Sequence, residues 1–391
     1  MALFSSSRHN LALIVDVGTS SVGAAVVSLP ENGKRAPLVL SSARSPLPFQ
    51  EHFDFERYMT LLWRSFDIAV EKALKAAPGR PREAHCFLSS MWYASQVRTV
   101  KLHKEHGFVF ERKLLENLVK KEKKAFFEEK YKNVREHIDF IEEEVLDVKL
   151  NGYRLLDPFG KRTENAEVSF FFGVSGEEMT ARVREHLKKF LPHVAPSFHS
   201  FLLPFFHVAR TFFPEAKDAM LIDVGGEVTD VSFMKDQTLA ASASFPLGRN
   251  FLLRRACAAL RKDVEGTRST LRLLAEGKLD PEAAASLALV LGPVQMEWLE
   301  SFHKALDMVR SSLLLPHRVF LLAASDVAKW FATAVEQEEY GQYTLSADKF
   351  DVTVIGASAF GNDVAFGATI GVRDEFLGIE SIFAAAPRLH A

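Results

Sequence analysis

The sequence predicts a mixed α/β chain of two related lobes, with a smaller subdomain inserted into the first. Three observations carry that prediction. Short strand-like runs paired by tight turns are followed by helix-periodic segments. A strand–turn–strand unit at 13–27 returns at 220–234, with aspartate in the matching place, Asp16 and Asp223. Between the two copies the texture changes to a charge-rich stretch.

In order along the chain, residues 11–17 and 22–29 read as strands flanking the turn Gly18-Thr19-Ser20, and 37–42 as a third. Residues 54–77 carry a helix pattern and 86–90 another strand. Hairpins followed by a helical crossover indicate a mixed lobe. From Glu111 to Glu144, 19 of 34 residues are charged, yet Leu114, Leu115, Leu118 and Val119 mark one apolar helix face. That combination reads as a solvated amphipathic helix, with a partner-binding helix as the alternative. Strand-like runs at 145–150 and 166–174 bracket a turn at Asp157-Pro158-Phe159-Gly160. The Phe-rich run 198–213 reads as a buried helix beside the second aspartate strand. Trp92 and Tyr93 read as core, or as part of a docking groove. Helical patterns follow at 248–262 and 294–312, and strands at 319–323 and 350–355. The expected division is a first lobe over 1–82 and 176–218, an insert over 83–175, a second lobe over 219–372 and a C-terminal return or tail over 373–391.

Composition narrows the function. The chain has 391 residues, enough for two lobes, and 48 % of them are apolar. Lysine and arginine number 48 against 50 acids, a net charge of −2, which gives no polyelectrolyte case for nucleic acid. Two cysteines exclude a disulfide framework and suit a reducing cytoplasm. Residues 11–29 are apolar but interrupted by Asp16, so neither a signal peptide nor a membrane span is expected. The thirteen histidines show no metal-ligand spacing. Walker, dinucleotide and Gly-x-Ser-x-Gly motifs are absent from the sequence.

The duplicated unit carries the chemistry. Glycine in Asp-x-Gly lets the backbone approach a ligand closely. Successive N–H groups then form an anion-binding concavity. The aspartate is a hard oxygen ligand suited to Mg²⁺. Asp16-Val17-Gly18-Thr19-Ser20-Ser21 resembles the first phosphate motif of the actin-like ATPases, and Asp223-Val224-Gly225-Gly226 through Thr229-Asp230 resembles the second. Within that superfamily the chain is similar to the FtsA/PilM branch, which inserts a small α+β subdomain into the first lobe of a ribonuclease-H-like two-lobed fold. Asn151-Gly152-Tyr153 through Lys161, Phe245-Pro246-Leu247-Gly248 and Phe366-Gly367-Ala368-Thr369-Ile370-Gly371 are similar to FtsA segments.

The resemblance implies ATP and Mg²⁺ as cofactors. Asp16 and Asp223 would organise the metal and water. Gly18, Thr19, Ser20, Ser21, Gly225 and Gly226 would cradle phosphates, Thr229 would support the second loop, and Gly248, Ala324 and Ser325 would lie at the nucleoside. It also implies protein partners, either a filament protein or a membrane-protein peptide, with self-assembly and only indirect membrane contact. Departures are visible. Ala323-Ala324-Ser325 replaces a Gly-Gly, Glu227 and Arg249 stand where glycines are usual, and 266–275 lacks the acidic residue near the ribose. Residues 200–209 offer no water-positioning side chain, so at most slow hydrolysis is expected. The functions left open are an FtsA-like cell-division scaffold, a PilM-like pilus assembly protein, a pseudo-ATPase platform and a sugar-kinase-type enzyme. The C-terminal Phe376, Leu377, Ile379, Ile382 and Phe383 lack the basic flank of a membrane helix.

Overall fold

The computed structural model describes residues 10–30, 35–132, 137–155, 157–310, 315–341, 349–368 and 370–386. The chain opens with strands β1 (Asn10–Val17), β2 (Ser21–Leu29) and β3 (Leu38–Pro46). Helix α1 (Phe55–Ala76) follows, and then β4 (Glu83–Leu88). Asp54 caps α1 by accepting the Arg57 N–H at 2.7 Å, which satisfies one of the orphan donors of the first turn. The helix buries Leu62, Phe66, Ala69, Val70 and Ala73 on one face, at the spacing an amphipathic helix requires.

The insert comprises β5 (Ala94–Val109), α2 (Arg112–Lys130), β6 (Ile138–Leu150), β7 (Tyr153–Arg154) and β8 (Arg162–Gly176). Its sheet runs β5-β8-β6-β7, and α2 packs on it around Phe126, Phe170 and Phe172. The chain returns through α3 (Glu177–Lys188), β9 (Pro196–Ser200) and α4 (Leu202–Phe212). The second lobe opens with β10 (Ala219–Val224), β11 (Thr229–Lys235) and β12 (Thr238–Phe245). Helices α5 (Arg249–Leu260), α6 (Val264–Ala275) and α7 (Pro281–Arg310) follow, then β13 (Arg318–Ala323), α8 (Ala328–Gln337) and β14 (Asp351–Val354). Last come β15 (Ala365–Phe366) and α9 (Glu375–Ala385).

The repeat seen in the sequence is a repeat of topology. The first sheet runs β15-β3-β2-β1-β4-β9 and the second β12-β11-β10-β13-β14. In each, an antiparallel hairpin carries the aspartate strand, and that strand also pairs in parallel with a strand reached by crossover. β1 and β10 are therefore central, and their near-continuous apolar runs suit strands covered on both faces.

Three expectations shift. The strand Glu83–Leu88, placed in the insert from sequence, pairs with β1, so the insert begins after it. The charged run is not helical throughout: β6 starts at Ile138 and takes the acidic stretch 142–144 into the sheet. Glu142 is tolerated there because it is buried against the Ser200 N–H and hydroxyl, at 3.0 and 2.6 Å. Residues 198–200 of the Phe-rich run belong to β9, and only Leu202–Phe212 is helix. The C-terminal Leu377, Ile379, Ile382 and Phe383 are buried in a core with β1, β2 and α4. Of the expected helix 294–312, residues 311–312 lie outside the described residues, as does Thr369.

Candidate functional site

Both aspartate hairpins open onto one cleft between the lobes, of about 260 Å³. Asp16, Gly18, Thr19, Ser20, Ser21, Asp223, Gly225, Gly226, Ala324 and Ser325 all line it. Thr229 and Gly248 do not line it and act behind the second loop. The Thr229 hydroxyl donates to the Leu247 carbonyl at 2.7 Å, and the Trp298 indole donates to the same carbonyl at 3.1 Å. Gly248 is packed so tightly that a Cβ there would stand 2.5 Å from the Gly225 carbonyl oxygen.

The two turns touch each other. The Thr19 hydroxyl accepts the Glu227 N–H at 3.0 Å. A Cβ on Gly226 would lie 2.6 Å from the Ser20 nitrogen, so only glycine permits this approach. The first N–H groups of α5 are used internally: Arg249 donates to the Gly225 carbonyl and Asn250 to the Gly226 carbonyl, both at 2.8 Å. A helix N-terminus is a ready anion site only while such donors are free.

The departures from the motif acquire partners. Glu227 is turned away from the cleft onto α5, where Arg254 grips it at 2.5 and 3.1 Å and Asn250 donates at 2.9 Å. The carboxylate expected beside phosphate charge is thus neutralised behind the loop. Arg249 pairs with Asp326 at 2.5 Å, and Arg268 of α6 meets the same carboxylate at 2.9 Å. Burial pushes the Asp326 carboxyl up, but Arg249 and Arg268 overcome it and hold the group below its usual range. This network stands at the position that the resemblance assigns to the nucleoside.

Around Asp16 lie residues that no motif pointed to. Arg44 of β3 meets Asp16 at 2.7 Å and holds Asp374 with two bonds, at 2.5 and 2.9 Å. Asp374 also caps α9 through the Leu377 N–H, at 3.1 Å. Glu380 of α9 is fully buried, and among the described residues neither of its carboxyl oxygens has a hydrogen-bond partner; nor does Asp223 Oδ1. Burial pushes the Asp223 carboxyl far above its ordinary range, reinforced by Asp230 and Asp16. Glu380 is raised for the same first reason, with Asp16 adding to it. Asp16 is raised by burial against the pull of Arg44.

These residues fit the two halves of Mg-ATP unequally. The glycine-lined, touching turns are a cradle that backbone alone can form, which suits an anion. The metal half does not fit. Asp16 already has a cation at 2.7 Å, and burial raises the Asp223 carboxyl, which disfavours the charged form that a metal ligand needs. No group of three or more His, Cys, Asp or Glu able to hold a metal ion occurs among the described residues.

No protein-family model matches the chain, and no curated protein matches it in sequence. Its structure is similar to a chain of a PilM–PilN type IV pilus biogenesis complex, with 16 % identity, 96 % of each chain covered and a TM-score of 0.61. More remote likenesses include the ethanolamine utilization protein EutJ from Carboxydothermus hydrogenoformans, with 11 % identity, 96 % of this chain and 89 % of that one covered, and a TM-score of 0.41. Another is the ROK hexokinase from Thermus thermophilus, with 14 % identity, 95 % and 98 % covered, and a TM-score of 0.36. The chain has the actin-like two-lobed fold, with a subdomain inserted into its first lobe.

Proposed function

We propose that this chain is a PilM-like scaffold that holds a short segment of a membrane-protein partner, on the cytoplasmic side of a type IV pilus machine. The observation that carries the proposal is a second cavity, of about 480 Å³, where the start of the insert meets the second lobe. Ser90, Met91 and Tyr93 line one side, and Ser242 and Phe245 of β12 with Met308 of α7 line the other. Its volume falls within the range of ligand pockets, roughly 300–1,000 Å³, whereas the phosphate cleft falls below it. Met91 and Met308 remain exposed at its rim, 38 % and 73 %. Unbranched, polarisable side chains of this kind adapt to a docked peptide.

The phosphate cleft, on this reading, joins the lobes and fixes the second loop instead of turning over ATP. No helix among the described residues is long and apolar enough to cross a membrane, and a partner-tethered protein needs none. The test is a titration of peptides tiling the cytoplasmic segment of a PilN-like protein of the same organism, with and without Mg-ATP. Binding without nucleotide, weakened at least tenfold by Met91→Arg, supports the proposal. No peptide bound, together with nucleotide-driven oligomers in sedimentation, would favour the FtsA-like reading of a self-assembling cell-division scaffold.

A further inference from the structure

We propose that the Arg44 guanidinium is the resident cation of the phosphate cleft, filling the place beside Asp16 that a divalent metal would need. The cleft is then metal-independent by construction. Arg44 is held on every side. Its Nη1 meets Asp16 Oδ2 at 2.7 Å and the Ser21 hydroxyl at 2.9 Å, while Nε and Nη2 take the two oxygens of Asp374. A guanidinium has five N–H donors in a planar fork, and bidentate pairing with a carboxylate is the arrangement that uses the fork best.

The strand beneath has been shaped for it. A Cβ on Gly23 of β2 would stand 2.7 Å from Arg44 Nη2 and 3.0 Å from Cζ. The guanidinium therefore lies directly on glycine backbone, and any side chain at position 23 would displace it. The Phe376 ring, 5.4 Å from Cζ, lies against the guanidinium as well.

The charges around the site agree. The carboxyls that feel the Arg44 charge are Asp16, Asp374, Glu375 and Glu380. Among the described residues only Asp16 and Asp374 are in contact with it, while both Glu380 carboxyl oxygens and Asp223 Oδ1 are buried without a hydrogen-bond partner. A metal entering beside Asp16 would have to displace a guanidinium that Asp374 holds in place with two further bonds. The same arginine ties the phosphate loop to the cap of α9, so the cation of the cleft also anchors the C-terminal return.

Thermal unfolding decides the matter, using the full chain with millimolar Mg²⁺, with ATP and EDTA, with both Mg²⁺ and ATP, and with neither. The wild-type midpoint is expected to be insensitive to Mg²⁺ in every pairing. Arg44→Gln is expected to unfold several degrees lower and to regain part of that loss with Mg²⁺, because Asp16 and Asp374 then face each other without a cation. A wild type stabilised by Mg²⁺ only with ATP, and an Arg44→Gln variant that loses the response, would overturn the proposal. If Arg44→Gln fails to fold, Mn²⁺ binding to wild type and Asp16→Asn is followed by water-proton relaxation. Mn²⁺ bound by wild type and lost in Asp16→Asn overturns the proposal, and binding independent of Asp16 supports it.

Discussion

At the scale of single residues, Asp230 shows how a buried carboxyl is made to fit. It accepts hydrogen bonds from Ser90 and Ser244, both at 2.5 Å, which link the start of the insert to β12. Burial raises its carboxyl from 3.8 to about 6, against the pull of those serines. The native state therefore binds the proton more tightly than the unfolded chain. Its contribution to stability is greatest below about pH 4, falls as pH rises through about 4 to 6, and is level above that. The difference is on the order of 3 kcal/mol. Asp230→Asn should remove this slope: in urea unfolding, the variant should match wild type near pH 4 and exceed it by about 2–3 kcal/mol at pH 8. A variant that parallels wild type across the range would refute the assignment. Gly226→Ala places a methyl 2.6 Å from the Ser20 nitrogen. It should cost about 1–3 kcal/mol or more in the same assay, since the turns must part. The glycines and aspartates of both turns were legible because each motif is local. Arg44, Asp374 and Asp326 were not, because their partnerships join residues 330 and 77 positions apart and no spacing rule reaches that far.

At the scale of elements, strong periodicity located α1 to within a residue at either end, and the cap at Asp54 explains why it starts there. Asp54→Ala should cost about 1 kcal/mol, read as a lowered denaturation midpoint. The charged run from 111 to 144 was harder, because charge alone does not distinguish a solvated helix from an edge of a sheet. The structure gives 112–130 to helix and starts β6 at Ile138, pairing it antiparallel with the Phe-rich strand β8. Helix α9 was the least legible element: apolar residues near a C-terminus suit a membrane, a partner or a core equally. Its burial is decided by β1, β2 and α4, all far earlier in the chain. Leu377, fully buried, should cost about 2–5 kcal/mol when replaced by alanine. A loss below about 1 kcal/mol would show that α9 does not dock as described.

At the scale of the whole molecule, duplication governs. Two sheets of the same strand order each carry an aspartate turn at the end of the central strand, β1 and β10, and both turns meet in one cleft. Hydrogen exchange should be slowest in β1, β4, β10 and β13, which are buried and paired on both edges, and fastest at the exposed rim of β5. The two-lobed plan was readable from the repeat alone. The division between a narrow, arginine-filled cleft and a wider groove beside the insert was not, because it depends on how three sheets pack. That division is the core of the functional account. It is tested most directly by a photo-crosslinking residue placed in living cells at Met91, on the groove, or at Val372, on the rim of the cleft. The account predicts that position 91 captures one membrane protein whose cytoplasmic segment also binds the purified chain without Mg-ATP, and that position 372 does not. Capture at 372 alone, or binding that requires Mg-ATP, would contradict it.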